Sequence, residues 1–266
     1  MQVHHLNCGT MTPLLVGRLV CHVLLCESDD GLVLVDTGFG LADCADHARV
    51  GPARLLLNAR FAESETAARQ VEALGYARSD VRHIVVTHFD LDHVGGLSDF
   101  PDATVHTTAV EFDAANRPPT RAERRRYRKV QWSHGPKVRT YSGGGEPWQG
   151  FEVAYPVEGV DGLSIVPMNG HTRGHALVAV DAGARGWLLH AGDAVFDRGS
   201  IAIGADSADD RANRRTIRLF EQAVGQDRST IASNHARLAE VRASGSATVI
   251  PAHDPVIFDR AVADQS

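Results

Sequence analysis

A chain of 266 residues, 43% of them hydrophobic, can bury a full core, and residues 1-266 read as one domain. No apolar run approaches the roughly 20 residues needed to cross a bilayer, and the opening Met1-Gln2-Val3-His4-His5 lacks the charged and apolar regions of a secretion signal, so a cytoplasmic protein with no membrane partner is expected. A net charge of −6 gives no general attraction to phosphate backbones, which speaks against a nucleic-acid partner, and the four cysteines (Cys8, Cys21, Cys26, Cys44) lack C-x-x-C spacing and read as reduced thiols.

In chain order, Val16 to Leu25 and Gly31 to Val35 are β-branched apolar runs separated by the turn-rich Glu27-Ser28-Asp29-Asp30-Gly31, which predicts a hairpin. Its second strand exits into Asp36-Thr37-Gly38. Residues 64 to 75 carry Ala67, Val71, Ala73 and Leu74 among charged neighbours and predict an amphipathic helix before a strand at 81 to 86. A strand is expected around Thr104 to Thr107, then a polar segment in which seven of the thirteen residues from Arg117 to Lys129 are basic. Strands are predicted again at Phe151 to Tyr155, Leu163 to Pro167, Leu177 to Val180 and Trp187 to His190. Helices are predicted from Asp209 to Val224 and from about Ser229 to Arg242, with a last strand at Ala247 to Pro251. This order favours two β layers with helices outside over a continuous parallel winding.

The chemistry concentrates in Thr87-His88-Phe89-Asp90-Leu91-Asp92-His93-Val94-Gly95-Gly96, where four metal-competent side chains occupy six residues. If the strand runs on, alternation sends His88, Asp90 and Asp92 to one face, and a turn at Asp92 brings His93 round to join them. Buried carboxylates are costly unless paired or bound to a cation, and imidazole is the commonest nitrogen ligand for zinc, so one metal site would resolve both costs. Three later segments also place His or Asp where a strand ends: Gly170-His171-Thr172-Arg173-Gly174-His175, His190-Ala191-Gly192-Asp193 and Ala252-His253-Asp254. A lone histidine at such a place is usually structural. Their joint occurrence carries the argument.

From Asp36 to His253 the sequence resembles the metallo-β-lactamase-fold hydrolases, whose signature pairs an early aspartate with a His-x-His-x-Asp-His run, a Gly-His-Thr-x-Gly-His loop, a Gly-Asp pair and a late histidine. The resemblance implies an αββα sandwich with a two-metal site. It implies one ion on His88, His171 and residue 90, the other on Asp92, His93 and His253, with Asp193 bridging. It also implies hydrolysis by a hydroxide held between the ions, with Asp92 as the catalytic carboxylate. Asp36 suits the role of accepting the free N–H of a ligating histidine, and His175 is a second candidate for such support. Asp90 stands where the family usually has histidine. A carboxylate there widens the expected metals from Zn to Mn or Fe, and an alternative has Asp90 turned away so that a single site fills.

Within that family the length and spacing resemble small lactone and ester hydrolases, the quorum-quenching lactonases among them. Those carry a tyrosine three residues after the bridging aspartate, where this chain has Phe196, whose ring donates no hydrogen bond. The basic segment falls within a lid-like insertion expected around 110-140, so Arg125 and Arg128 are candidates to hold an anionic substrate. The expected activity is therefore lactonase-like on a small molecule, with a phosphoesterase or an iron-dependent redox enzyme of the same fold as alternatives and a homodimer among the expected assemblies.

Overall fold

The computed structural model describes residues 1–204, 206–210 and 215–265. Its first sheet has seven strands in the order β4-β1-β2-β3-β5-β6-β7, comprising β1 (Gln2–Met11), β2 (Leu19–Ser28), β3 (Gly31–Val35), β4 (Ala59–Arg60), β5 (Val81–Val85), β6 (Thr104–Thr108) and β7 (Lys137–Tyr141). The second has six in the order β13-β12-β11-β10-β9-β8, comprising β8 (Glu146–Trp148), β9 (Phe151–Pro156), β10 (Leu163–Pro167), β11 (Ala176–Asp181), β12 (Trp187–Gly192) and β13 (Thr248–Pro251). Both are mixed: β3, β5, β6 and β7 run parallel, as do β12 and β13, and the remaining pairs are antiparallel. The helices are α1 (Leu41–Ala45), α2 (Ala53–Leu57), α3 (Ala67–Ala73), α4 (Ala109–Asn116), α5 (Arg121–Arg126), α6 (Arg215–Val224), α7 (Arg228–Ser244) and α8 (Pro255–Ala263).

The core lies between the sheets and again outside each of them. Because side chains alternate along a strand, β11 sends Val178 and Val180 inward against Leu24, Val33 and Val35, and sends Leu177 and Ala179 outward beneath Leu238 and Val241 of α7. A strand covered on both faces reads as a continuous apolar run, which is how β2, β3 and β11 look in the sequence. Each such buried Leu or Val contributes roughly 1.5–3 kcal/mol. The arrangement is an αββα sandwich.

The expected hairpin is present as β2 and β3. The helix expected over 64 to 75 is shorter, because Glu63–Glu65 form a 3-10 turn and Thr66 caps α3 by accepting from the Arg69 N–H. Of the helix expected from Asp209 to Val224, Asp209 and Asp210 lie in a turn, residues 211–214 lie outside the described residues, and α6 spans Arg215–Val224. No element was expected at β1, whose His4, Asn7 and Thr10 interrupt the apolar pattern, nor at β7, β8 or α8. Among the described residues, no helix is long and apolar enough to cross a membrane.

Candidate metal centre

The loops singled out in the sequence meet at one edge of the sandwich. Strands β3 and β5 run parallel and deliver Asp36 and the 87–94 segment there, while the register of β10, β11, β12 and β13 brings the His171, Asp193 and His253 loops to the same edge. The strand does not continue through the His-Asp run, as the alternation argument required. It stops at Val85, and residues 91–94 are wound into a turn by bonds from the His93 and Val94 N–H groups to the Asp90 carbonyl. That turn separates Asp90 from Asp92, so the run feeds two clusters instead of lining one face.

One cluster holds His88, Asp90, His171 and Asp193, the other Asp92, His93 and His253, and within each the ligand atoms lie inside 4.8 Å of one another. Asp193 stands between them. Its Oδ2 is 3.0 Å from His171 Nε2 and 3.7 Å from His88 Nε2, and its Oδ1 is 2.9 Å from His253 Nε2 and 3.2 Å from His93 Nε2. Asp90 Oδ2 lies 3.1 Å from His171 Nε2 and 3.3 Å from His88 Nε2, and Asp92 Oδ2 is 3.7 Å from His253 Nε2.

Which ring nitrogen faces the cluster follows from the partners behind it. Asp36, held at φ +60° where β3 ends, accepts from the Thr87 N–H, the Thr87 hydroxyl and His93 Nδ1, each at 2.8 Å. The Thr87 hydroxyl, having given its proton to Asp36, accepts from His88 Nδ1 at 3.0 Å. The Val20 carbonyl accepts from His253 Nδ1 at 2.8 Å. In all three rings Nδ1 carries the proton, so the Nε2 lone pair points into the centre, the orientation that metal-ligating histidines have. His175 supports the backbone instead: its Nδ1 donates to the Met168 carbonyl and its Nε2 accepts from the Asp193 N–H at 3.0 Å.

Charge follows the same geometry. Burial and the neighbouring His93 push His88 down to about 4, and burial with His88 and His171 pushes His175 well below its usual range. Burial opposes ionisation of Asp193, but His253, His171 and His93 around it hold it well below the usual carboxylate range. Against the same burial, Asp193 raises His93, His171 and His253. His88 Nε2, His93 Nε2 and Asp193 Oδ1 are buried without a hydrogen-bond partner, a state rare in native interiors. A neutral nitrogen lone pair and a carboxylate oxygen left unpartnered in the same space fit divalent cations.

Several contributors were not expected from the sequence. Glu111, fully buried, accepts from the Phe89 N–H, the Thr172 hydroxyl and the Gly174 N–H, pinning the two ligand loops together. Its sequence signal, Thr108-x-x-Glu111, reads as a helix cap, and the Thr108 hydroxyl does accept from the Glu111 N–H while the carboxylate turns elsewhere. The arginines need a correction. Arg128 turns away from the centre and donates to the Arg49 and Ala48 carbonyls, because α5 ends at Arg126 and the chain leaves in an extended conformation at Tyr127. Arg126 is the one that reaches the centre: its Nε and Nη2 donate to the two Asp90 oxygens at 2.5 Å each. Arg125 and Phe196 line the cavity outside, whose volume is about 810 Å³. Its lining includes the apolar Met11, Leu19, Leu57, Leu91, Phe196 and Phe220 and the basic Arg125, Arg126 and Arg173.

The sequence profile of the metallo-β-lactamase superfamily matches residues 16–253. Two proteins described as probable metallo-hydrolases, from Mycobacterium tuberculosis and Mycobacterium bovis, are 50% identical over 98% of this chain and 83% of theirs. An N-acyl homoserine lactonase of Bacillus cereus is 24% identical over 71% of this chain and 70% of its own. The fold is shared with an AiiA variant of B. thuringiensis solved with N-decanoyl-L-homoserine at its active site, with a TM-score of 0.71 at 19% identity over 98% of this chain and 97% of that one. The chain belongs to the metallo-β-lactamase superfamily and is a metal-dependent hydrolase.

Proposed function

We propose that the centre holds two divalent ions, zinc first among them, and hydrolyses a lactone or carboxylic ester. The observation that carries this reading is the position of Asp193, whose two oxygens face separate buried clusters. His88, Asp90 and His171 would hold one ion and Asp92, His93 and His253 the other, with Asp193 shared. Two ions so held supply a water of lowered pKa and polarise the scissile carbonyl.

The rest falls to the protein. Asp36 fixes His93 directly and His88 through Thr87, and His175 fixes the Asp193 backbone. Asp92 borders the cavity and would carry the proton to the leaving-group oxygen. The apolar part of the lining receives a hydrocarbon portion of the substrate and excludes water from the centre. The lactonases named above support an ester-type substrate, and Phe196 marks where this pocket lacks a hydroxyl donor. Arg125 and Arg126 in the same lining favour a second reading, a phosphoester with an apolar substituent.

The test combines metal analysis by mass spectrometry, on protein purified without chelator, with a panel of lactones, aryl esters and phosphoesters. About two equivalents of zinc or manganese with turnover of an ester or lactone is the expected result. Turnover of phosphoesters alone would transfer the assignment to the second reading. One equivalent or less would overturn the binuclear centre, and mainly iron would favour redox chemistry.

A further inference from the structure

The two halves of the centre differ in one respect that the ligand identities do not reveal. Arg126 lies across the Asp90 half, largely buried, with its side chain 15% exposed. Its Nε and Nη2 form a two-pronged bond to Asp90, Nη2 is also 2.5 Å from His171 Nε2, and Nη1 donates to the Val224 carbonyl at the end of α6. Among the described residues, no arginine or lysine is within ion-pair reach of Asp92, His93 or His253.

We propose that Arg126 is a built-in cation that a metal ion must displace at the Asp90 half and not at the Asp92 half, so that the two sites fill in order and with unequal affinity. This rests on the two-metal reading above. An imidazole nitrogen has one lone pair, so His171 Nε2 cannot accept from Arg126 and coordinate an ion at once. The fork likewise takes one lone pair of each Asp90 oxygen, in the side-on geometry at which guanidinium and carboxylate match best. A guanidinium is never deprotonated in this setting and cannot be removed by neutralisation. It has to move, and Val224 holds only its Nη1 while it does so.

The pairing also accounts for Asp90. Replacing an imidazole by a carboxylate adds a negative charge to a buried cluster that already contains Asp193, and Arg126 cancels it, so Asp90 itself is not left unpaired in the metal-free protein. The Asp92 half has no such device, and its ligand atoms are free to take an ion.

The test is a titration of the metal-stripped full chain with Zn²⁺ against a chromophoric chelator, which reads stepwise affinities without any substrate. The wild type should bind two ions, with the second step at least about tenfold weaker than the first, the scale on which positioning partners alter metal affinity. R126Q, which removes the charge, should tighten the second step by about tenfold and leave the first unchanged. R126K keeps the charge without the fork and should fall between them, which keeps the idea testable if R126Q does not fold. Second-step affinity that is unchanged or weaker in both variants would overturn the proposal and make Arg126 a residue that organises Asp90 for the ion. Equal sites in the wild type, untouched by R126Q, would sink the inference and leave the binuclear reading intact. A wild type that binds no second ion would sink both.

Discussion

Among the settings in which this protein buries histidines, two contrast sharply. At the metal centre four imidazoles surround Asp193, with Asp36, Asp90 and Asp92 beside them. On the first sheet, His83 Nδ1 and His106 Nε2 are 2.9 Å apart, and His106 Nδ1 lies 2.8 Å from the Tyr141 hydroxyl, which accepts from the Glu158 N–H. No carboxylate oxygen joins that second chain of bonds, and burial with His83 and Arg139 pushes His106 down to about 4. Every nitrogen of His106 has a partner, whereas the centre leaves Nε2 atoms of His88 and His93 without one. Buried imidazole alone is therefore an ordinary structural component. Carboxylates interleaved with it, and lone pairs left over, are what mark a site for cations.

That contrast can be broken most directly at Asp193. D193N removes the shared anion and should abolish binding of both ions and lower kcat/KM by at least about 10²–10³-fold, the cost of removing a group that organises transition-state charge. Retention of two equivalents would mean that the clusters do not share a ligand. H88A and H253A should each lose one equivalent and most activity, while unchanged metal content in both would sink the ligand assignment. One step further out, D36N leaves His93 and Thr87 with a poorer acceptor and should weaken metal affinity by about 10–100-fold. The corresponding change in the other setting, H106Q, should leave metal content untouched. Metal loss in H106Q equal to that in D36N would erase the distinction between the two regions.

The second setting makes its own prediction about pH. His106 is held down to about 4 in the folded chain against about 6.5 in the unfolded one. Between those values the unfolded state binds the proton and the native state does not, so its contribution to stability is present above pH 6.5 and is lost as pH falls toward 4. The lost contribution is at most about 3.5 kcal/mol, from 1.36 kcal/mol per pKa unit over the shift from 6.5 to about 4. Urea unfolding at several pH values should show H106Q with a shallower acid decline than the wild type, and an identical slope would refute the assignment. The smallest effect is expected at Phe196, which stacks edge-on against His253 with ring centres 4.7 Å apart. F196Y adds a hydroxyl donor at the cavity and should raise lactone turnover a few-fold, with no change counting against a lactonase-like pocket.

Much of this was readable before any fold was known. The residues that converge at the centre were visible because metal chemistry demands particular side chains, and a run such as His88-Phe89-Asp90-Leu91-Asp92-His93 has few other uses. The β2–β3 hairpin and β11 were visible because strands covered on both faces must be apolar throughout. Strand β1 was not, since the polar residues along it break the pattern. The His-Asp run departs from strand alternation for a related reason: hydrogen bonds to the Asp90 carbonyl turn the chain where periodicity alone would extend it.

The sequence by itself therefore carried the candidate ligand residues and, through the order of their motifs, the resemblance that implied the superfamily and its sandwich, because these depend on donor chemistry and motif order. Only the tertiary structure decided how they are delivered and supported. It turned the chain between Asp90 and Asp92, aimed Arg128 out and Arg126 in, and gave Glu111 the task of joining two ligand loops. Each of those outcomes depends on where a side chain is delivered by contacts dozens of residues away. One arginine in a basic run differs from the next only in the direction that the end of α5 happens to aim it.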